Sequence, residues 1–218
     1  LDRPDEALAD LANCVTLNPR DANLRYLLAL SQLAAGDLAA YRDTAGKMLQ
    51  QFSKTDDAQA AHWTAWTFGL VPQPIGDPSI PLRLAEQAIA SDPESTFHRQ
   101  TLGAALYRAG RLEEAREVLA KLEADWDSDG VKSTDLTSTA YTYFFLAMAE
   151  HRLGRADKSW ACLSKGVRWA EDEENTTLWN RQVTLQLFRK EAEELVGVEI
   201  PFDDVQKKNR HPKPDTGL

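Results

Sequence analysis

Cysteine is scarce in this chain of 218 residues: only Cys14 and Cys162 occur, far apart in sequence. Two isolated thiols make no disulfide framework, so a reducing, cytoplasmic compartment is expected, with both acting as small buried apolar residues. Long hydrophobic runs are missing as well. No stretch reaches the ~18 apolar residues that a membrane-spanning helix needs. The opening segment LDRPDEALAD has no basic stretch followed by an apolar one, so no signal peptide is read there. Basic charge is in the minority, with 25 Lys and Arg against 34 Asp and Glu and a net charge of −9. A surface of that sign repels phosphate, and nucleic acid is not an expected partner.

The motifs that carry chemistry are also absent. The four histidines, His62, His98, His151 and His211, are isolated in sequence, and neither H-E-x-x-H nor C-x-x-C occurs, so no metal is expected. There is no G-x-S-x-G nucleophile elbow and no glycine-rich phosphate loop. Asp56-Asp57, Asp203-Asp204 and the run Glu171-Asp172-Glu173-Glu174 read as solvated faces or helix-start charge rather than acid–base pairs. No cofactor follows from any of these features.

What is there is ordinary globular composition, 43% apolar and 27% charged, with six tryptophans that need burial or a partner. It also holds a repeat. The tetratricopeptide unit is 34 residues, two antiparallel helices with small residues where they cross. The clearest copy runs from Ser95 to Asp127, with Gly103 and Ala115 small at the crossing and Gly110 placed to end the first helix. Leu112, Val118, Leu119 and Leu122 then give the second helix its apolar stripe. Residues 1–19 read as a second helix alone, so the chain starts halfway through a unit, and Leu1 rather than Met suggests the tail of something longer.

The spacing recurs elsewhere. Cys14 to Met48 and Ala88 to Leu122 are each 34 positions. Met48 to Ala88 is 40, the excess falling in the proline-rich segment Val71–Pro78. Leu122 to Gly166 is 44, the excess assigned to a turn-rich stretch, Asp125–Ser133. A last hairpin covers Thr139–Ala170, turning at Gly154. Asn175-Thr176-Thr177 are then placed to cap a long helix to about Val196. Its apolar face would carry Leu178, Leu185, Phe188, Ala192 and Leu195, and its outer face Arg189 to Glu191, Glu193 and Glu194.

Several stretches resemble one bacterial group more closely than a generic repeat: TDDAQAAHWTAWTFGL (55–70), TLGAALYRAGRLEEA (101–115), FFLAMAEHRLGRADKSWACLSKGVRWAE (144–171) and LQLFRKEAEELVG (185–197). They are similar to the C-terminal helical tails of large serine/threonine protein kinases and WD40-repeat proteins, over most of residues 35–197. The resemblance implies a role in protein contacts, with any kinase domain upstream. This chain has no V-A-I-K, H-R-D or D-F-G and is not expected to be an enzyme. It departs from the repeat pattern at Arg99, where a large aromatic is usual, and at Leu122 and Pro81, where alanine is usual.

The expected fold is therefore all-α: a right-handed tetratricopeptide-like α-solenoid of about four and a half hairpins with a C-terminal capping helix. Residues 1–197 form the repeat domain and 198–218 a flexible tail whose basic cluster, Lys207 to Lys213, reads as a solubilising terminus. The expected function is non-catalytic docking of a protein or peptide in a larger signalling protein. An unrecognised enzyme and a plain structural spacer are the alternatives. Self-association through the bare N-terminal half-repeat is a further expectation.

In repeat geometry, positions 2, 5, 9, 12 and 13 of each first helix face the concave groove. That points to Gln100, Tyr107 and Arg108 from one unit and Phe144, His151 and Arg152 from the last hairpin as groove residues. Arg108 and Arg152 sit at equivalent positions and suit a two-pronged grip on a ligand carboxylate, or else cover their helix ends. Trp63, Trp66, Tyr141, Tyr143, Phe144 and Phe145 either fill the seams between hairpins or line that groove.

Overall fold

The computed structural model describes residues 4–72, 75–129, 137–173 and 178–197. Among the described residues there are ten α-helices and no strand: α1 (Pro4–Leu17), α2 (Ala22–Ala34), α3 (Leu38–Phe52), α4 (Ala58–Gly69), α5 (Ser79–Ser91), α6 (Thr96–Arg108), α7 (Leu112–Asp129), α8 (Thr139–Arg152), α9 (Ala156–Glu173) and α10 (Trp179–Val196). None of them is long and apolar enough to cross a membrane.

Local chemistry explains where these helices begin and end. Short polar side chains take up otherwise orphaned amides at several starts: Leu24 donates to Asp21 at 3.0 Å, Ala40 to Asp37 at 2.9 Å, and Gln59 to Asp57 at 2.8 Å. Ser95 and Ser138 do the same for α6 and α8. Each such cap contributes about 1 kcal/mol, so part of the chain's acidic surplus works as helix starts. The hairpins α2–α3, α6–α7 and α8–α9 close identically. In each, an amide reaches back five residues at 2.9 Å (Asp37 to Gln32, Arg111 to Leu106, Arg155 to Glu150). That closure needs the intervening residue left-handed, and Gly110 accordingly has φ +77° and Gly154 φ +75°.

Each first helix then packs on its own second helix and on the next first helix. Thus α2, α4, α6 and α8 adjoin in order along one face, and α3, α5, α7 and α9 back them. The small residues sit where the axes approach. A Cβ on Gly103 would overlap the buried Leu119 side chain, and one on Gly166 would lie 2.9 Å from Phe144 Cδ1. The first insertion lies between α4 and α5, as the spacing predicts. The second differs: Asp125 to Asp129 extends α7 instead of forming a turn. Residues 130–136 and the expected tail 198–218 lie outside the described residues.

Two of the departures from the repeat pattern, Arg99 and Pro81, have physical reasons. Arg99, in place of an aromatic, donates from Nε to the Pro93 carbonyl at 3.0 Å and pairs with Glu94. Arg25 makes the same reach to the Pro19 carbonyl, at 3.1 and 3.3 Å. Pro81 falls in the first turn of α5, where its missing amide costs no helical hydrogen bond.

The capping helix is present and does more than cover the last hairpin. α10 packs on α8 and α9, and it also contacts α2 at the other end of the stack. Its cap differs from the expected one. Asn175–Thr177 lie outside the described residues, and Leu178 holds the cap position without a side-chain hydrogen bond.

Candidate functional site

The concave face formed by α2, α4, α6 and α8 is where a repeat of this kind offers a groove, and α10 lies in it. Two polar anchors fix its direction. Near its start, buried Arg181 donates to the Thr137 carbonyl at 2.9 Å and pairs with Glu173 at 3.4 Å, tying α10 to the beginning of α8 and the end of α9. Near its end, Glu191 meets Arg108, the last residue of α6. α10 therefore runs parallel to the first helices, along the inside of the curve.

Between the anchors the contact is aromatic. Phe188 is fully buried, with ring centroids 4.8 Å from Phe145, 5.4 Å from Tyr141 and 5.7 Å from Trp66, all edge-on. Edge-to-face packing of this kind adds about 0.5–1.5 kcal/mol per pair beyond area burial. Leu185 and Ala192 flank it, also buried. The Tyr141 hydroxyl donates to the Arg181 carbonyl at 3.4 Å, and burial raises its pKa well above the usual tyrosine range. On the α2 side, Tyr26 lies within hydrogen-bonding reach of Thr184 and Asn180; burial raises its pKa too.

Arg108 uses every nitrogen of its guanidinium. Nε and Nη2 donate to the carbonyl of Gly69, the last residue of α4, at 3.1 and 2.8 Å. Nη2 also donates to Glu191 Oε2 at 2.6 Å, while Nη1 bonds Oε1. One side chain thus joins the ends of α4 and α6 to α10. The two side chains are only 12% and 13% exposed, so the pair is desolvated enough to be more than a surface ion pair.

The other expected groove residues divide. Tyr107 is buried beside this pair; the Arg108 and Arg152 guanidiniums lie 5.4 and 5.3 Å from its ring centre. Burial first, and the Glu191 charge second, push its pKa up. Gln100 faces the seam between first helices, donating to the Ser138 carbonyl at 2.5 Å and to Thr142 at 3.0 Å. Phe144 is buried against Gly166 inside the α8–α9 hairpin and is not presented to the groove. His151 is half-buried and Arg152 exposed at the end of α8. The aromatics split the same way: Trp66, Tyr141 and Phe145 meet α10, while Tyr143 and Phe144 fill the hairpin seam.

Beyond α10 the face stays open at its N-terminal end. A cleft of about 670 Å³ lies between the starts of α2 and α4, bordered by Asp21, Asp57, Gln59 and Trp63. Trp63 stacks on Tyr26, with centroids 4.8 Å apart. Among the described residues no group of His, Cys, Asp and Glu is arranged to hold a metal.

Sequence reasoning missed Phe188, Glu191 and Arg181 as groove residues. Phe188 was legible as part of an apolar face, but not what that face meets. In the sequence Glu191 reads on the outer face; its spacing of three from Phe188 is the available signal. Arg181 on an otherwise apolar side was another.

No family model matches the chain, and no curated protein matches it in sequence. Solved structures do. A thermophilic TPR protein of Thermus thermophilus superposes with a TM-score of 0.53 at 18% identity, over 86% of this chain and 91% of that one. A tetratricopeptide repeat protein of Parabacteroides merdae gives a TM-score of 0.53 at 11% identity, over 94% of this chain and 76% of that one. Identities this low speak to fold alone. The chain has the tetratricopeptide-type fold, a solenoid of helical hairpins.

Proposed function

We propose that this chain is a protein–protein docking segment of a larger bacterial signalling protein, working in the cytoplasm and without turnover. The observation that carries the reading is the concave face itself. It already holds an amphipathic helix by an aromatic cluster and a two-pronged arginine–carboxylate grip, which is how a groove recognises a helical partner. The resemblance of residues 35–197 to the tails of serine/threonine kinases and WD40-repeat proteins supports the signalling context. A repeat domain of residues 1–197 with a tail of 198–218 belongs to the same reading, as does self-association through α1, where Leu17 is 79% exposed.

One observation favours a structural spacer instead: α10 fills the part of the groove that a partner would use. The test is an array of helical peptides screened against the full chain, with hits re-measured on Arg108→Ala and Arg152→Ala. Docking in the groove predicts specific hits that lose at least tenfold in affinity on those variants. A spacer binds no peptide specifically.

A further inference from the structure

α10 occupies the middle of the concave face, so a partner meeting the chain as it stands needs another opening. The cleft of about 670 Å³ between the starts of α2 and α4 is one, and no described residue of α10 lines it. Its floor is apolar, from buried Ala22 and Ala60 and half-buried Trp63, and Leu17 stands at its edge with 79% of its surface exposed. Trp63 is held in place by Tyr26, stacked at 4.8 Å, and by Phe97, edge-on at 5.2 Å. A side chain laid against this indole therefore meets a surface that is already ordered.

The rim is mainly acidic. Asp21 borders the cleft from the start of α2 and Asp57 from the start of α4, both exposed, and exposed Asp56 lies next to Asp57. Arg20 is the one cation among the residues lining the cleft. Each lining carboxylate accepts first-turn amides through Oδ1: Leu24 on Asp21 at 3.0 Å, and Gln59 and Ala60 on Asp57 at 2.8 and 3.3 Å. An anion, the usual guest of a helix start, finds those amides taken and negative charge on both sides. A cation finds Oδ2 of each carboxylate, on a chain whose net charge of −9 draws basic segments. Size bears on the guest's shape. One turn of helix, 5.4 Å long and 10–12 Å across, takes roughly 400–600 Å³, so the cleft suits a few extended residues rather than an amphipathic helix.

We propose that this cleft docks a basic, extended segment of another protein, which sets an apolar side chain on Trp63 and a Lys or Arg between Asp21 and Asp57. This rests on the docking reading above and adds the partner's chemistry and the place where it binds. The amide side chains of Asn18, Asn23 and Gln59 around the cleft supply donors and acceptors for the main chain of an extended guest, which has no internal hydrogen bonds of its own. Docking here leaves α10 and the core of the stack undisturbed.

The experiment uses the full chain and two fluorescein-labelled peptides, GSRLKLRSG and its acidic counterpart GSELELESG, followed by fluorescence anisotropy. The basic probe is expected to bind at least tenfold more tightly than the acidic one. Asp21→Asn with Asp57→Asn should cost it at least tenfold, and since asparagine caps a helix about as well as aspartate, the fold is kept. Glu113→Gln with Glu117→Gln removes the same charge from exposed positions of α7 and should leave the affinity within twofold. Saturating basic probe should also shift the indole N–H resonance of Trp63. Equal binding of the two probes, or equal loss on the α7 pair, overturns the proposal, because the attraction then belongs to net charge and not to the cleft. Should the Asp21 and Asp57 variant lose its helical circular dichroism, the Trp63 resonance of the wild-type chain decides: a shift supports the cleft and no shift overturns it. A wild-type dimer that comes apart on Asp21→Asn with Asp57→Asn puts a second copy in the cleft and overturns the choice of another protein. Hits from the helical array that weaken on Arg108→Ala but ignore Asp21→Asn with Asp57→Asn leave docking standing in the groove while removing it from this cleft.

Discussion

Arg108 on α6 and Glu191 on α10, 83 residues apart in sequence, are joined by two hydrogen bonds, with the Nη2 to Oε2 bond 2.6 Å long. The same guanidinium also closes the end of α4 through the Gly69 carbonyl. Three elements from distant parts of the chain therefore meet at one side chain. The position of α10 along the concave face follows from this pair and from the burial of Phe188 three residues before it.

The pair should be measurable as a coupling. Arg108→Ala and Glu191→Gln, alone and together, form a double-mutant cycle in urea unfolding. Because both groups are largely but not wholly shielded, the coupling should be about 1–3 kcal/mol, between exposed and fully buried pairs. Additive effects would mean that the two residues do not meet in solution.

Two helical glycines should respond to alanine with opposite signs. At Gly103 a methyl group overlaps Leu119, which is fully buried and has little room to move. Overpacking costs about 1–3 kcal/mol, which outweighs the roughly 1 kcal/mol gained in helix propensity. Gly46 in α3 has nothing within 4 Å of its added carbon. Gly46→Ala should therefore raise the melting temperature and Gly103→Ala should lower it, as thermal unfolding will show.

Acid should destabilise the fold through His62 and His98. Both rings are buried, 5.4 Å apart, and desolvation lowers both pKa values, His62 well below the ordinary value. Repulsion from His98 adds to the effect at His62, while the Asp92 carboxylate opposes it at His98. The unfolded chain then binds more protons than the folded one below the ordinary histidine value of ~6.5. Stability is complete above that value and falls as pH drops, by up to about 1.4 kcal/mol per pH unit for each group. His62→Asn keeps a polar partner for the Thr101 hydroxyl, now 2.9 Å from Nδ1. It should shrink the fall in stability between pH 7.5 and 5.5, and an unchanged slope would assign the acid sensitivity elsewhere.

Cys162 should be a slow nucleophile. Burial, with the Glu123 and Glu150 charges behind it, pushes its pKa up to about 11. Since the thiolate is the reactive form, its modification by a disulfide reagent at pH 8 should be at least tenfold slower than that of free cysteine. Rates can be read by mass spectrometry of the labelled peptide.

The hairpins were legible because spacing is a local property. Gly110 and Gly154 mark left-handed turns, and Gly103 and Ala115 mark close crossings, in any chain that carries this period. The extension of α7 is not legible because Asp125–Ser133 reads as one turn-rich stretch, whereas its first five residues continue the helix to Asp129. The placement of α10 was hidden for a different reason. An amphipathic pattern says which side of a helix is buried and nothing about what buries it, so Phe188 and Glu191 read as an end cap's inner and outer faces. Arg108 reads as suited to a carboxylate; that the carboxylate belongs to the same chain depends on an 83-residue separation no local pattern encodes. Phe144 was misplaced because its repeat position predicts the groove, whereas the glycine at 166 makes room for its ring inside the hairpin.

The most direct test of the central claim, that α10 lies along the concave face, is a set of nuclear Overhauser contacts in the full chain with selectively labelled aromatic rings. The account predicts cross-peaks from Phe188 to Trp66, Tyr141 and Phe145 together, since all three ring centres lie within 5.7 Å of it. A well-dispersed spectrum in which Phe188 shows none of these contacts would contradict it.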